Sequence, residues 1–427
     1  MGVEISGQVI YFDHNATTPM LPEARRAWLE AADQFIGNPS SPHRIGSRAD
    51  AAITAARQRL AEILGCDALD LVWTSGATES NNTVLHHFGR TLLPDAEVWV
   101  SAIEHPCVIA STKHYFPKRH RLIPVTQEGV VDLNWLTEEM AHARPGLVAI
   151  MAANNETGVL QPWREAQAIC RQWEVPFFCD AAQWIGKLPA KGLGECDLTS
   201  GAAHKFGGPK GVGFLKCPAK GRVEPLMRGG PQEEGRRAGT ENVSGILSML
   251  AALEARLATM CPDSQPSPDP SREGGNVKPG LDRSTVGRAK GSARKIASKT
   301  AFDSEAVQQR LAWRDAFIER MLKALPGAQV VGRAQPRLWN TVSALMPAAD
   351  RQQRWVVKLD KLGFAVSTGS ACSSGKEEPS HVIAAMGHSP HEAGRVLRFS
   401  SGWETTPDDW NALLEGLKTV YRGMRNG

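Results

Sequence analysis

Short apolar runs, each handing over to polar or glycine-rich residues and then to a stretch with helical spacing, recur through the first 260 residues. LDLVW before TSGATESNN, EVWVSAIEH, RLIPV, LVAIMAANNETG and VPFFCDAAQ each read as a buried strand ending in a turn. Helices are expected from Pro22, over about 47–64, after Ser75, and over about 162–173 and 243–260, from their Ala, Leu and Arg content and their stop signals. Alternation of this kind predicts an α/β fold with a mostly parallel sheet. Beyond residue 300 the rhythm changes. Helical periodicity over 305–324, apolar runs near Val330 and over 340–346, a helix over 351–361 and strands at FAVS and RVLRFSSG predict a smaller α+β domain, joined by the short N-terminal strand over 9–12. At 427 residues two domains are expected: a large one over 15–260, and a small one made of 1–14 and 301–427.

Between them, 261–300 breaks the pattern. It has no aromatic residue, only four large aliphatics, and repeated Pro, Gly and Ser, so it cannot bury enough surface to offset its ordering entropy. The expectation is a disordered, basic insertion between two helices. It also locates the charge: of the net +4, this segment holds eight Lys or Arg against four acids, leaving 41 of each sign elsewhere. A neutral body gives no support to a nucleic-acid partner, although the sequence pI is 8.6.

No apolar run approaches a membrane span, and MGVEISGQVIYF lacks a basic region followed by an apolar core, so a soluble cytoplasmic protein is expected. Eight cysteines show neither close pairing nor zinc-like spacing, which argues against a disulfide framework. Most lie in apolar strings and read as small buried hydrophobes. Cys372 differs: in STGSACSSGKEE it sits among Ser, Gly and Ala, an exposed setting that structural cysteines avoid and a reactive thiol uses.

The remaining polar candidates recur where apolar runs end, which is where open parallel sheets bind ligands. Lys205 lies in SGAAHKFGGPKGVGFL, a glycine-rich turn that leaves its amine accessible. About 25 residues upstream, roughly one strand-plus-helix unit, VPFFCD ends in Asp180, with Gln183 just after it. A strand-end acid and a lysine beyond the next crossover are what a pyridoxal 5'-phosphate site needs, the acid for the ring nitrogen and the amine for the aldehyde carbon. Taken alone, the pair suits a capping aspartate and a surface lysine equally well. Ser75, Gly76, Ala77 and Thr78 open a helix, whose free N–H groups favour a phosphate. EVWVSAIEH delivers His105, LVAIMAANNETG delivers Asn154 and Asn155, and Arg398 on the last strand is a candidate carboxylate clamp.

YFDHNATTP, TSGATESNN, Glu104-His105, NNETG, CDAAQ, HKFGGPKG, RRAGT and STGSACSS in this order resemble the NifS/IscS-like cysteine desulfurases, in class V of the fold-type I pyridoxal-phosphate enzymes. The resemblance runs from Tyr11 to the last helix and leaves out only 261–300. It implies a fold-type I large domain and a homodimer. It makes Lys205 the Schiff-base lysine and proton carrier, Asp180 the partner of the ring nitrogen, Gln183 that of the phenolic oxygen, and His105 the residue stacked on the ring. Ala77, Thr78 and His204 belong to the phosphate seat, with Thr240 reaching it from the second subunit. Asn154 and Arg398 would take the substrate carboxylate, and Cys372 the sulfur of L-cysteine, passing it to an acceptor such as an iron–sulfur scaffold or a tRNA-thiolation protein. One position departs: the serine usual three residues before the lysine is Ala202 here, with Ser200 as a substitute only after a local shift. Rival readings are a selenocysteine lyase or other class V enzyme, and an inactive scaffold of the same fold.

Overall fold

The computed structural model describes residues 9–219, 223–260, 304–348, 352–368 and 380–425. Cys372 and the 261–300 segment lie outside these residues. Seven strands form the main sheet, in the order Leu71–Thr74, Gly213–Lys216, Leu198–Ala202, Phe177–Asp180, Leu147–Ala149, Val98–Ser101 and His120–Ile123. Parallel pairing runs from Leu198–Ala202 outward to His120–Ile123. Gly213–Lys216 is antiparallel to both neighbours. Its direction follows from its connection: the chain returns from Leu198–Ala202 through residues 203–212, too short for a helical crossover, and a short return gives an antiparallel pair. Lys205 sits in that return.

The near-continuous apolar runs follow from burial of the sheet on both faces. Trp99, Phe177 and Cys179 point into one cluster with Trp73, while Val98, Val100 and Phe178 point into another with Val72. The first cluster receives the helix Val243–Met260, which packs on Pro22–Gln34 and Arg44–Leu64. This helix corrects one expectation: over its 18 residues the mean hydropathy is 1.3, apolar enough by composition and length to cross a membrane. Half of it is buried inside the protein, with Ile246, Met249 and Leu253 in the core.

A further core gathers Phe12, Phe317, Trp355, Phe399, Trp410 and Leu417. It lies between the helices Glu305–Ala324 and Pro407–Arg425 and an antiparallel sheet ordered Val396–Ser400, Thr341–Leu345, Gln329–Val330. Ile10–Tyr11 pairs in parallel with Phe364–Ala365, and Asp13 bridges to Ser400. Residues 13–18 therefore pass from this core to the edge of the main sheet, where Thr18 accepts no strand partner but donates its backbone N–H to the His204 carbonyl at 2.8 Å.

Candidate active site

The carboxyl ends of the parallel strands open into one cavity of about 490 Å³, within the range of small-molecule sites. Asp180 ends its strand in register with Ser200, so Lys205, at the end of the turn Ala203–Lys205, emerges on the same side. Ala77, Thr78, His105, Asp180, Gln183, His204 and Lys205 all line this cavity.

Asp180 is buried, and its carboxylate accepts from Asn81 Nδ2 at 2.7 Å and from the Ala182 backbone N–H at 2.9 Å. Lys205 Nζ donates to the carbonyls of Asn15 at 2.7 Å and Ala16 at 2.9 Å. Gln183 Nε2 donates to the same Asn15 carbonyl at 2.9 Å. His204 meets Thr17 Oγ1 through Nδ1 at 3.2 Å, and burial beside Lys205 and Lys210 lowers its pKa to about 4. His105 caps the helix Pro106–Tyr115: its Nδ1 accepts the Cys107 backbone N–H at 3.2 Å and lies 3.0 Å from Cys107 Sγ. A ring nitrogen that accepts from a backbone N–H carries no proton, so the neutral His105 ring holds its proton on Nε2. Burial keeps it neutral by lowering its pKa, against the opposing pull of Asp180. The same burial pushes the Cys107 thiol up to about 12, so it stays protonated. Glu104, fully buried, accepts from the Met151 N–H at 2.7 Å, and burial and the nearby Asp180 push its pKa well above the usual carboxylate range.

The helix Ala77–Thr91 starts at Gly76, whose φ of 151° suits glycine, and its first N–H groups lack intrahelical partners. Gly213 packs so closely that a Cβ there would meet Gly76 Cα at 2.6 Å. Glu79 folds back onto the Ser75 N–H at 2.7 Å and pairs with Arg237 at 3.0 Å, so its negative charge is matched. With an amine, a buried carboxylate and a helix-terminal anion seat around one cavity, these residues fit pyridoxal 5'-phosphate. Ala202 contributes only a methyl group to the lining, and Ser200 does not line the cavity; its buried hydroxyl has no hydrogen-bond partner among the described residues. Lys210, at the rim, adds a positive charge on that side.

Asn154 requires correction. Its amide is consumed by backbone partners: Nδ2 donates to the Ile103 carbonyl at 3.0 Å, and Oδ1 accepts the N–H groups of Glu156 and Thr157 in its own loop, both at 2.9 Å. Its neighbour Asn155 lines the cavity instead. Arg398 stands behind Asn155, donating to the Asn155 carbonyl at 3.0 Å and pairing with Asp13 at 2.6 Å, and is not among the lining residues. Thr240 is exposed and likewise absent from the lining. Cys372 lies outside the described residues, but the chain on both sides of 369–379 is tied to this site. Ser367 pairs with Arg398 through the backbone, Ser380 Oγ donates to Glu156 at 2.5 Å, and His381 Nε2 meets the Glu104 carbonyl at 2.8 Å.

Sequence reasoning missed Asn15, Asn81 and Cys107. Asn81 had a signal: it lies one helical turn beyond the anion-seat Thr78 in ATESNN, on the turn facing the sheet.

Comparison with known proteins accords with this geometry. The Aminotransferase class-V model matches residues 10–260. A cysteine desulfurase of Klebsiella pneumoniae is 35% identical over 97% of this chain and 94% of its own length. Among solved structures, a NifS-like protein superposes with a TM-score of 0.79 at 27% identity, covering 97% of this chain and all of the other. SspA in complex with cysteine superposes with a TM-score of 0.70 at 25% identity, covering 91% of this chain and 98% of the other. Strand-end acid, turn lysine, anion seat and matched sequence agree, and the chain belongs to the class V aminotransferase family.

Proposed function

We propose that this protein is a cysteine desulfurase, moving the sulfur of L-cysteine onto Cys372 and releasing L-alanine. The observation that carries the reading is the convergence of Lys205, Asp180 and the Gly76–Thr78 helix terminus on one cavity. The full-length match to a cysteine desulfurase and the fold shared with a protein solved with cysteine support it. Pyridoxal 5'-phosphate is the cofactor of this family, and Lys205, Asp180, His105, Gln183, Thr78 and His204 would hold it; when bound, it would supply the electron sink that makes an amino acid's Cα proton removable.

The residues divide the work by their chemistry. The Lys205 amine would carry the proton between Cα and the reacting centre, because it is an amine that lines the cavity on the same side as Asp180. Asp180, fixed by Asn81 and Ala182, contributes a buried negative charge. His105, neutral and protonated on Nε2, presents a donor. Asn155, braced by Arg398, lines the substrate side, and the Arg398–Asp13 pair fixes that brace. The Cys372 thiol, as thiolate, attacks the substrate sulfur: the new S–S bond forms as the C–S bond breaks, and a proton goes to the carbon that becomes the alanine methyl group. A free thiol is only a few per cent ionised at neutral pH, so a nearby base speeds this step. Cys107, half-buried and with its thiol pKa raised to about 12, stays protonated and does not compete.

The sulfur then passes to an acceptor protein, as an iron–sulfur scaffold or a tRNA-thiolation protein would take it. The exposed Thr240 suits a homodimer in which it reaches the other subunit's phosphate seat, and the protein is read as cytoplasmic. Purified protein supplied with pyridoxal 5'-phosphate should turn L-cysteine into equimolar L-alanine and transferred sulfur, and Lys205→Ala should abolish this. Substantial alanine formation by Lys205→Ala would remove Lys205 from its role.

A further inference from the structure

Four residues beyond Gln183, Lys187 is 3% exposed, an unusual burial for a lysine. The backbone forces it inward. After Asp180 the chain coils through successive turns, with Lys187 N–H donating to the Trp184 carbonyl and Leu188 N–H to the same atom. Gly186 before it has φ of 76°, and a Cβ there would meet Phe206 Cβ at 2.2 Å. Two tryptophans clamp the turn: Trp403 Nε1 donates to the Gly186 carbonyl and Trp339 Nε1 to the Lys187 carbonyl, both at 2.9 Å. The side chain reaches a small void behind Lys205, which His14 and Asn340 also line.

There the Lys187 amine donates to Gln183 Oε1 at 2.5 Å. No carboxylate pairs with it among the described residues. Burial, with Lys205 and Arg398 adding positive charge nearby, pushes its pKa well below that of an ordinary lysine. An amine N–H in this position still donates. This contact decides how Gln183 is presented: with Oε1 taken from behind, the amide cannot flip, and Nε2 carries its two hydrogens forward. One goes to the Asn15 carbonyl, which also receives Lys205, and the other is left for the cavity that Gln183 lines.

We propose that Lys187 is a positioning residue that locks the Gln183 amide so that an N–H, not a carbonyl, faces the oxygen-bearing edge of the cofactor ring. The proposal rests on the pyridoxal-phosphate reading of the cavity. An amide free to flip would present a carbonyl to a phenolic oxygen part of the time, and two acceptors repel.

The test is a double-mutant cycle on the full chain, stripped of cofactor and titrated with pyridoxal 5'-phosphate while visible absorbance and protein fluorescence are followed. Lys187→Met should weaken cofactor binding about fivefold, the size expected for one hydrogen bond. It should also shift the visible absorbance maximum. Gln183→Ala should do the same, and the double variant should be no weaker than Gln183→Ala. Lys187→Gln, an uncharged donor, should bind more tightly than Lys187→Met, which keeps the cycle informative if the methionine variant misfolds. Additive losses in the double variant would overturn the proposal and make Lys187 a packing residue. Equal binding by the Met and Gln variants would overturn it too. Failure of the wild type to bind the cofactor would instead sink the reading of the whole site, and this inference with it.

Discussion

Asn154 separates holding the site from forming it. Asn154→Ala removes a buried amide that makes three hydrogen bonds of 2.9–3.0 Å, to the Ile103 carbonyl and the N–H groups of Glu156 and Thr157. Each is worth about 0.5–1.5 kcal/mol net, and a buried group left without a partner costs about 1–3 kcal/mol. The alanine variant should therefore lose about 3 kcal/mol, with the loop that carries Asn155 and Glu156 loosened. For a domain of this size that is a fall in Tm on the order of 5–10 °C. Asn155→Ala is the matched control. The contacts of Asn155 with Asn15 and Arg398 are made by its backbone carbonyl and survive truncation, so its Tm should stay within about 2 °C of wild type. Its KM for L-cysteine should rise instead, because its side chain lines the cavity. Scanning calorimetry and steady-state alanine production on the two variants decide the matter. An unchanged Tm with a raised KM for Asn154→Ala would refute the reasoning and return Asn154 to the substrate.

Asn81→Ala removes the 2.7 Å donor to Asp180, a hydrogen bond to a charged group worth about 1.5–3 kcal/mol, so cofactor affinity should fall about tenfold or more in an equilibrium titration. Acid should destabilise the fold through His14 and His204, each held neutral by burial with its pKa lowered to about 4. An unfolded chain binds these protons near pH 6.5 and the folded one does not, so stability is full above about 6.5 and is lost as pH falls toward 4, by up to about 3 kcal/mol per histidine. Chemical denaturation of His14→Phe between pH 7 and 4.5 should show a shallower decline than wild type. Replacing 261–303 by a short Gly/Ser linker should leave soluble, cofactor-binding protein, since Ser304 Oγ donates to the Met260 carbonyl and the two flanking helices already meet. Loss of solubility or of cofactor absorbance would show that the segment packs.

The strand ends were legible because burial of the sheet on both faces writes apolar runs that stop where the chain leaves the core. Asp180, His105 and Lys205 stand at those stops, and chemistry that needs a carboxylate and an amine at one cavity could be read from them. Three elements were less visible. Gly213–Lys216 is a strand of GFLK beside a glycine-rich turn, and only its partner register reveals that it runs antiparallel. The short helices Pro106–Tyr115 and Leu133–Met140 carry β-branched and polar residues that mute helical periodicity. Within NNETG, sequence could not say which asparagine turns inward, because that depends on whether Oδ1 meets the N–H groups two and three residues ahead. The burial of Lys187 runs against the ordinary preference of lysine for the surface, and what causes it, the φ of Gly186 and the clamp from Trp339 and Trp403, is set by tertiary structure.

The measurement closest to the central claim is mass spectrometry of the intact protein after brief exposure to L-cysteine without reductant, with peptide mapping of the site. Wild type should gain one sulfur atom on Cys372 while releasing L-alanine, and Cys372→Ala should bind pyridoxal 5'-phosphate and L-cysteine yet gain none and release almost no sulfide on reduction. Sulfide release at the wild-type rate from Cys372→Ala would contradict the account and make the protein a lyase that needs no thiol.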